Sequence, residues 1–284
     1  EYNSKNVKST HVNTMIDNSA NEKRLNKYIS ESGFCSRRGA DKLIEANRVT
    51  INGKIPELGT KVQPGDVVKI DGKAIAASAK NKSDRIYIAY NKPIGITCTT
   101  ESHVWGKIID AIGHRTRIFP IGRLDKPSEG LIFLTSDGDI VNKILRAENA
   151  HDKEYIVTVD KPISERFIER MSRGVPILGT ITKPCIVRVE SRFVFTIILT
   201  QGLNRQIRRM CEYLDYDVKK LKRSRIMSVE LDQLKPGQWR DLTTAEMSEI
   251  NEAVASSSKT ADETLTSQKK SSQKSLPSNP WTDS

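Results

Sequence analysis

Residues 121–138, IGRLDKPSEGLIFLTSDG, carry the chain's most suggestive grouping of side chains. Arg123 and Asp125 stand in a turn-prone stretch directly before the apolar run 130–135, GLIFLT. An apolar run of that length, bounded by turn residues, has the character of a buried strand. Ser136-Asp137-Gly138 then suits a loop and a helix start. Asp125 is therefore expected at the entrance to a buried strand. A carboxylate in that position is either a functional base or nucleophile or half of a structural ion pair. Paired-acid hydrolysis of a glycosidic bond needs a second matched carboxylate. None is evident in the pattern, which argues against a glycosidase-like enzyme.

Other candidate groups are ambiguous on spacing alone. Ile207, Met210, Cys211 and Leu214 fall at i, i+3, i+4 and i+7, one apolar helical face. Arg208 stands at the edge of that face, placed either to reach into a cleft or to remain at the surface. Tyr155 lies in the strand candidate 154–159, where a cross-strand or core tyrosine is as natural as an aromatic platform for a ligand. Lys92 and Pro93 follow another strand start and suit a surface loop or a pocket floor. The cysteines, Cys35, Cys98, Cys185 and Cys211, contain no CxxC pair, and the four histidines are equally scattered. Neither a metal site nor a disulfide is expected.

These residues need elements to hold them. Residues 1–22 are rich in Asn, Ser and Thr and are expected to form a disordered arm; residues 252–284, rich in Ser, Lys and Thr, a disordered tail. Between them the pattern divides in two. Over 23–75, Leu25, Tyr28 and Ile29 share a helical face that Gly33 can stop, and Ser36 can cap a second helix with Ala40, Leu43 and Ile44 on its stripe. The period then changes to two, with hairpin turns at Asn52-Gly53 and Asp71-Gly72. A Lys-rich stretch of small residues over 76–84 suits a linker. Over 85–251, strand candidates at 86–90, 130–135, 154–159, 185–189, 193–200 and 226–231 are interspersed with helices near 138–145, 164–173 and 204–214. Strands dominate without strict alternation, so the fold class is α+β with a mixed or mostly antiparallel sheet.

The net charge of +11 points to an anionic partner, nucleic acid before membrane. Eleven Lys and Arg against six Asp and Glu over 23–73, and eight against three over 204–226, place that charge in two separate patches. In the first, Arg24, Lys27, Arg37, Arg38 and Lys42 lie on or between the two helices, as phosphate contacts or as a solvated face. No run of roughly 18 apolar residues suggests a membrane span. The polar N-terminus has no signal-peptide core, so the expected compartment is the cytoplasm.

Four blocks in order give these residues a context. GRLDKPSEGLIFLTSDG resembles the catalytic motif of the RsuA-type branch of the pseudouridine synthases. Lys92-Pro93-Ile94-Gly95 resembles its KPxG opening, Lys153-Glu154-Tyr155 its K-x-Y motif, and 202–210 its QIR-containing motif. Residues 23–75 resemble the alpha-L RNA-binding domain named after a small-subunit ribosomal protein. Details such as VNKILRA, KEYIVTVDKPI and QGLNRQIRRMCE resemble the large-subunit ribosomal RNA pseudouridine synthase F group.

The resemblance implies a site-specific isomerisation of uridine to pseudouridine, without a cofactor. It implies Asp125 as the catalytic residue and Arg208 as its ion-pair partner. Tyr155 would pack against the target base, Ile207 would form an apolar pocket wall, Arg123 would help extrude the nucleotide, and Lys92 and Pro93 would shape the pocket floor. The implied substrate is structured RNA, first of all large-subunit ribosomal RNA, with transfer RNA as a further candidate. The sequence says little on oligomeric state, and a monomer is the expectation. The alternative is a non-catalytic RNA-binding or ribosome-assembly factor on the same fold. Pro127 departs from the expected softness of the catalytic loop, since proline fixes φ.

Overall fold

The structure, a computed structural model, describes residues 22–32, 34–75, 85–99 and 106–257. Gly33, most of the expected arm (1–21), the linker 76–84 and residues 258–284 of the expected tail lie outside the described residues. The chain separates into two compact units, Glu1–Lys80 and Asn81–Ser284.

The first unit runs β1 (Lys23–Arg24), α1 (Leu25–Glu31), α2 (Arg37–Glu45), β2 (Val49–Ile51), β3 (Lys61–Val62), β4 (Val68–Ile70) and β5 (Lys73–Ala74). Ser36 caps α2, its hydroxyl accepting a hydrogen bond from Gly39 N at 3.0 Å. Asn52-Gly53 and Asp71-Gly72 all have positive φ, as a two-residue hairpin turn demands. Strands β2, β4 and β5 form an antiparallel sheet. Leu25, Ile29, Ala40, Ile44, Val49, Val68 and Ile70 close one core between that sheet and the helices. Arg24, Arg37, Arg38 and Lys42 are exposed, and Lys27 is half-buried.

The second unit contains β6 (Tyr87–Lys92), α3 (Ile108–Ile112), β7 (Phe119–Ile121), β8 (Glu129–Thr135), α4 (Val141–Asn149), β9 (Lys153–Val159) and α5 (Glu165–Arg173). It continues with β10 (Pro176–Ile177), β11 (Thr180–Ile181), β12 (Ile186–Ser191), β13 (Val194–Leu199), α6 (Gln206–Tyr213), β14 (Val218–Ile226), β15 (Val229–Glu230) and β16 (Trp239–Asp241). A last helix, α7, covers 244–257. The main sheet has the order β12-β13-β9-β14-β8-β6-β16, with β7 and β15 attached to β8 and β14. Among the described strands of this sheet, only the β14–β8 pair is parallel. The class is α+β, with a large mixed sheet.

Strand β8 is buried along its whole length. Leu131 and Phe133 face a core shared with α4 and α7, while Ile132 and Leu134 face one shared with Ile88, Tyr90 and Ile108. Burial on both faces is why its sequence is continuously apolar rather than alternating. Helices α5 and α6 cover Val157, Phe195 and Ile197 on the other half of the sheet.

Three expectations need correction. The strand candidate 226–231 is in fact the end of the nine-residue β14, a turn with Met227 at φ 51°, and the short β15. The helix near 138–145 begins later and ends at Asn149. Residues 252–257, assigned to the tail, continue α7, and Ala253 packs in a core.

Candidate active site

Five segments meet around a cleft of about 520 Å³ in the second unit. The loop between β7 and β8 brings Arg123, Asp125 and Ser128. Strand β9 brings Lys153 and Tyr155. The segment entering α6 brings Arg205, Ile207 and Arg208, and strand β14 brings Leu221 and Arg223. Helix α4 closes one wall with Leu145, Glu148 and Asn149.

The Asp125 loop is held from beneath. Ser128 N donates to Asp125 O at 2.9 Å, making a tight turn across Lys126-Pro127, and Gly95 N donates to Lys126 O at 2.8 Å. Fully buried Lys92 donates through Nζ to Pro93 O at 3.0 Å, Ile96 O at 2.9 Å and Lys126 O at 3.5 Å. Burial lowers its pKa, against the nearby Cys98, Asp125 and Glu129. Leu124 is fixed on both sides by Cys98, whose Sγ donates to Leu124 O at 3.3 Å and accepts from Leu124 N at 3.4 Å. Gly130, at φ 115°, allows β14 to approach: a Cβ there would stand 2.2 Å from Arg223 O. Arg223 in turn donates through Nε to Leu131 O at 2.7 Å.

The ion pair at Asp125 is not the expected one. Arg205 Nη1 stands 3.5 Å from Asp125 Oδ2, with both side chains more than a third exposed. Arg205 is the N-cap of α6 in left-handed conformation, φ 48° and ψ 37°, and this turns its side chain across the cleft. Arg208, one turn into α6 and buried, instead donates through Nη2 to Ser128 Oγ at 2.9 Å. Burial and the neighbouring Arg205 lower its pKa, while Asp125 opposes that shift. Its Nε is buried without a partner. Arg208 thus grips the end of the Asp125 turn, and Arg205 meets the carboxylate itself.

On the opposite wall, Lys153 is buried and donates to Glu148 O at 2.6 Å, Thr200 O at 2.8 Å and His151 O at 3.3 Å. Burial brings its pKa down to about 8. The Glu148 carboxyl is pushed up to about 7 by burial, against the pull of Arg223 and Lys153. Its Oε1 is buried without a hydrogen-bond partner. The cleft therefore does hold a second carboxyl group, which sequence patterning did not indicate.

Of the residues singled out in the sequence, Asp125, Tyr155, Arg208, Ile207 and Arg123 line the cleft. Lys92 and Pro93 do not: Lys92 lies behind the wall, occupied by carbonyls. Glu148 was missed, while Lys153 and Arg205 were named only within motifs and Arg223 only within a basic patch, none with a role in the site. A family profile described as RNA pseudouridylate synthase matches residues 86–213, and one described as S4 domain matches residues 23–68. The chain is 58% identical over 235 residues to the dual-specificity RNA pseudouridine synthase RluF of Escherichia coli K12, covering 83% of this chain and 80% of that protein. This chain belongs to the RNA pseudouridine synthases.

It is an isomerase of RNA with an RNA-binding S4 domain. The ribosomal large subunit pseudouridine synthase B of Bacillus subtilis is 31% identical, covering 84% of this chain and 99% of that protein. A crystal structure of a pseudouridylate synthase superposes with a TM-score of 0.57 at 26% identity, covering 80% of this chain and 99% of that one. No described helix of this synthase is long and apolar enough to cross a membrane.

Proposed function

We propose that this synthase flips a uridine out of a structured RNA into the cleft and isomerises it with Asp125 as the catalytic residue. The reading is carried by one observation: Asp125, Tyr155 and Arg208, from three distant segments, line the same cleft. Isomerisation breaks the bond from C1′ to N1 of uracil and forms one from C1′ to C5. The C5 proton leaves and N1 gains one, so the balance needs neither redox cofactor nor energy source. A carboxylate able to act on the nucleoside is the essential protein group.

A base held outside the stack needs a platform and an apolar wall. Tyr155 supplies the first and Ile207 the second. Arg205 pairs with the Asp125 carboxylate and directs it; Arg208 holds the Ser128 end of its turn. Arg123, exposed at the rim, takes the place left by the extruded nucleotide. In the S4 domain, Arg24, Lys27, Arg37, Arg38 and Lys42 contact phosphates, giving affinity with strong salt dependence. The substrate is large-subunit ribosomal RNA, with transfer RNA a second substrate, in keeping with the dual specificity named for the Escherichia coli relative. The enzyme acts as a monomer in the cytoplasm.

Tritium release from uracil-5-labelled ribosomal and transfer RNA tests this directly, because C5 must exchange its hydrogen for the bond to C1′. Wild type releases tritium and Asp125→Asn does not, while the two bind RNA within about twofold of each other. An Asp125→Asn enzyme with wild-type release removes Asp125 from the chemistry.

A further inference from the structure

The hairpin of β10 and β11 has features that neither folding nor the proposed chemistry requires. Its two turn residues, Leu178 at φ 48° and Gly179 at φ 73°, both adopt left-handed backbone. Such a turn favours Asn, Asp or Gly at each position, and a leucine there is strained. Leu178 is nevertheless 53% exposed, so burial does not compensate. Pro176 and Ile181 are directly paired across the hairpin, and Ile181 is 68% exposed. Ile177, on the other face, is buried in the core under α6. The tip is thus an apolar plate of Pro176, Leu178 and Ile181 on a fixed stem.

The stem is closed by hydrogen bonds, and Lys183, just beyond it, is bonded to a residue of the cleft. Buried Thr182 accepts a hydrogen bond from Val175 N through its hydroxyl at 2.8 Å. Gly174 lets the two strands close, since a Cβ there would lie 2.3 Å from Thr182 O. Lys183 N donates to Gln201 Oε1 at 3.0 Å, and the same oxygen accepts from Gln206 Nε2 at 3.2 Å. Gln201 and Gln206 both line the cleft. The hairpin is therefore tied to the rim by a two-bond chain, with the exposed Lys183 beside it as a cation.

We propose that the β10–β11 tip is an RNA contact of the cleft, its apolar plate receiving an unstacked base next to the flipped uridine. Strained residues kept at an exposed position accumulate where function needs them. Apolar wedges that pack against separated base steps are a recurrent means of stabilising distorted nucleic acid, and sequence-specific RNA recognition targets splayed bases. The proposal rests on the assignment of the cleft as the uridine site.

The test uses the full chain and a stem–loop transcript of large-subunit ribosomal RNA that the wild type modifies, with 2-aminopurine beside the modified uridine. Leu178→Asn relieves the backbone strain, so its melting temperature is expected at or above that of the wild type. Its kcat/KM is expected to fall about tenfold, mainly through KM, and the 2-aminopurine fluorescence rise to shrink. The slope of binding against salt stays unchanged, because no phosphate contact is lost. Ile181→Thr moves the same readouts in the same direction. Folded variants that both keep wild-type kcat/KM and the full fluorescence rise overturn the proposal. Asp125→Asn, assayed in parallel, separates the two readings. If it is active, the cleft assignment falls and this contact with it; if it is inactive while the hairpin variants are unaltered, only the contact falls.

Discussion

Lys92 and Lys153 are both buried in the catalytic domain, and both spend their ammonium groups on three backbone carbonyls. They differ in what lies beside them. Lys92 ties the strand end of β6 to the Asp125 loop, and Asp125 itself stays partly open to solvent with Arg205. Lys153 ties the end of α4 to the strand end at Thr200, next to a carboxyl buried at 3% exposure. Both cations act as fasteners. The difference is that the acid beside the first is partly open to solvent, whereas the second shares its dry surroundings with an acid that holds its proton to near neutrality. Burial, against the pull of the neighbouring cations, is what raises the Glu148 carboxyl.

If Lys92 is the fastener of the catalytic loop, Lys92→Met should give the largest effect. Three carbonyls lose a charged donor, and stability should drop by about 4 kcal/mol, measured by thermal unfolding. A displaced Asp125 should lower kcat about 100-fold with little change in KM, measured by tritium release. Retention of wild-type kcat would make Lys92 a stabilising residue only and erase the contrast between the two lysines.

Glu148 tests the other side. Its folded carboxyl keeps a proton up to about 7, whereas an unfolded glutamate releases it near 4.5. The native state thus binds more protons across that interval, and stability falls as pH rises from 4.5 to about 7, then levels. The loss amounts to about 3 kcal/mol. Glu148→Gln should remove that falling limb, leaving a flatter profile and a more stable protein at pH 8, as read by denaturant unfolding across pH. An unchanged limb would move the titration to another group.

Lys153→Met should cost less than Lys92→Met, about 2 kcal/mol at pH 7. The Lys153 pKa is depressed from 10.5 to about 8, so stability falls as pH drops across that interval, and below it the enzyme bears the full cost of a buried ammonium. Methionine abolishes that cost while leaving the carbonyls unserved. The same variant should push the Glu148 titration above 7, which nuclear magnetic resonance of a labelled glutamate would record.

How much of this was legible depends on how far each feature is local. The Asp125 loop could be read because turn residues abut a strand buried on both faces. Tyr155 and Ile207 came from motif and spacing. Glu148 could not be read: in VNKILRAEN it resembles the polar side of an amphipathic helix, and only the packing of α4 in its core brings it to the cleft wall. Strand β14 was missed because two register shifts, between Val218 and Lys220 and between Arg223 and Arg225, break the alternation in VKKLKRSRI. With the strand went Arg223, which then passed for part of a surface charge patch. Arg205 was overlooked for a conformational reason: nothing in residue type announces a left-handed arginine.

Ser36 offers the smallest and most local test. It too fastens backbone, but with a neutral hydroxyl at a half-buried helix start in the S4 domain. Water can replace much of what the hydroxyl gives, so Ser36→Ala should cost about 1 kcal/mol, against about 4 for Lys92→Met. Hydrogen exchange should show faster exchange of the first-turn amides of α2, Gly39 above all. The amides of β2 and β4 should change less, because their protection comes from the sheet and from Val49, Val68 and Ile70 in the core. A loss at Ser36 as large as that at Lys92 would mean that burial does not set the strength of these fasteners, and the contrast between exposed and buried anchors would have to be replaced by one based on the number of carbonyls or amides each one serves.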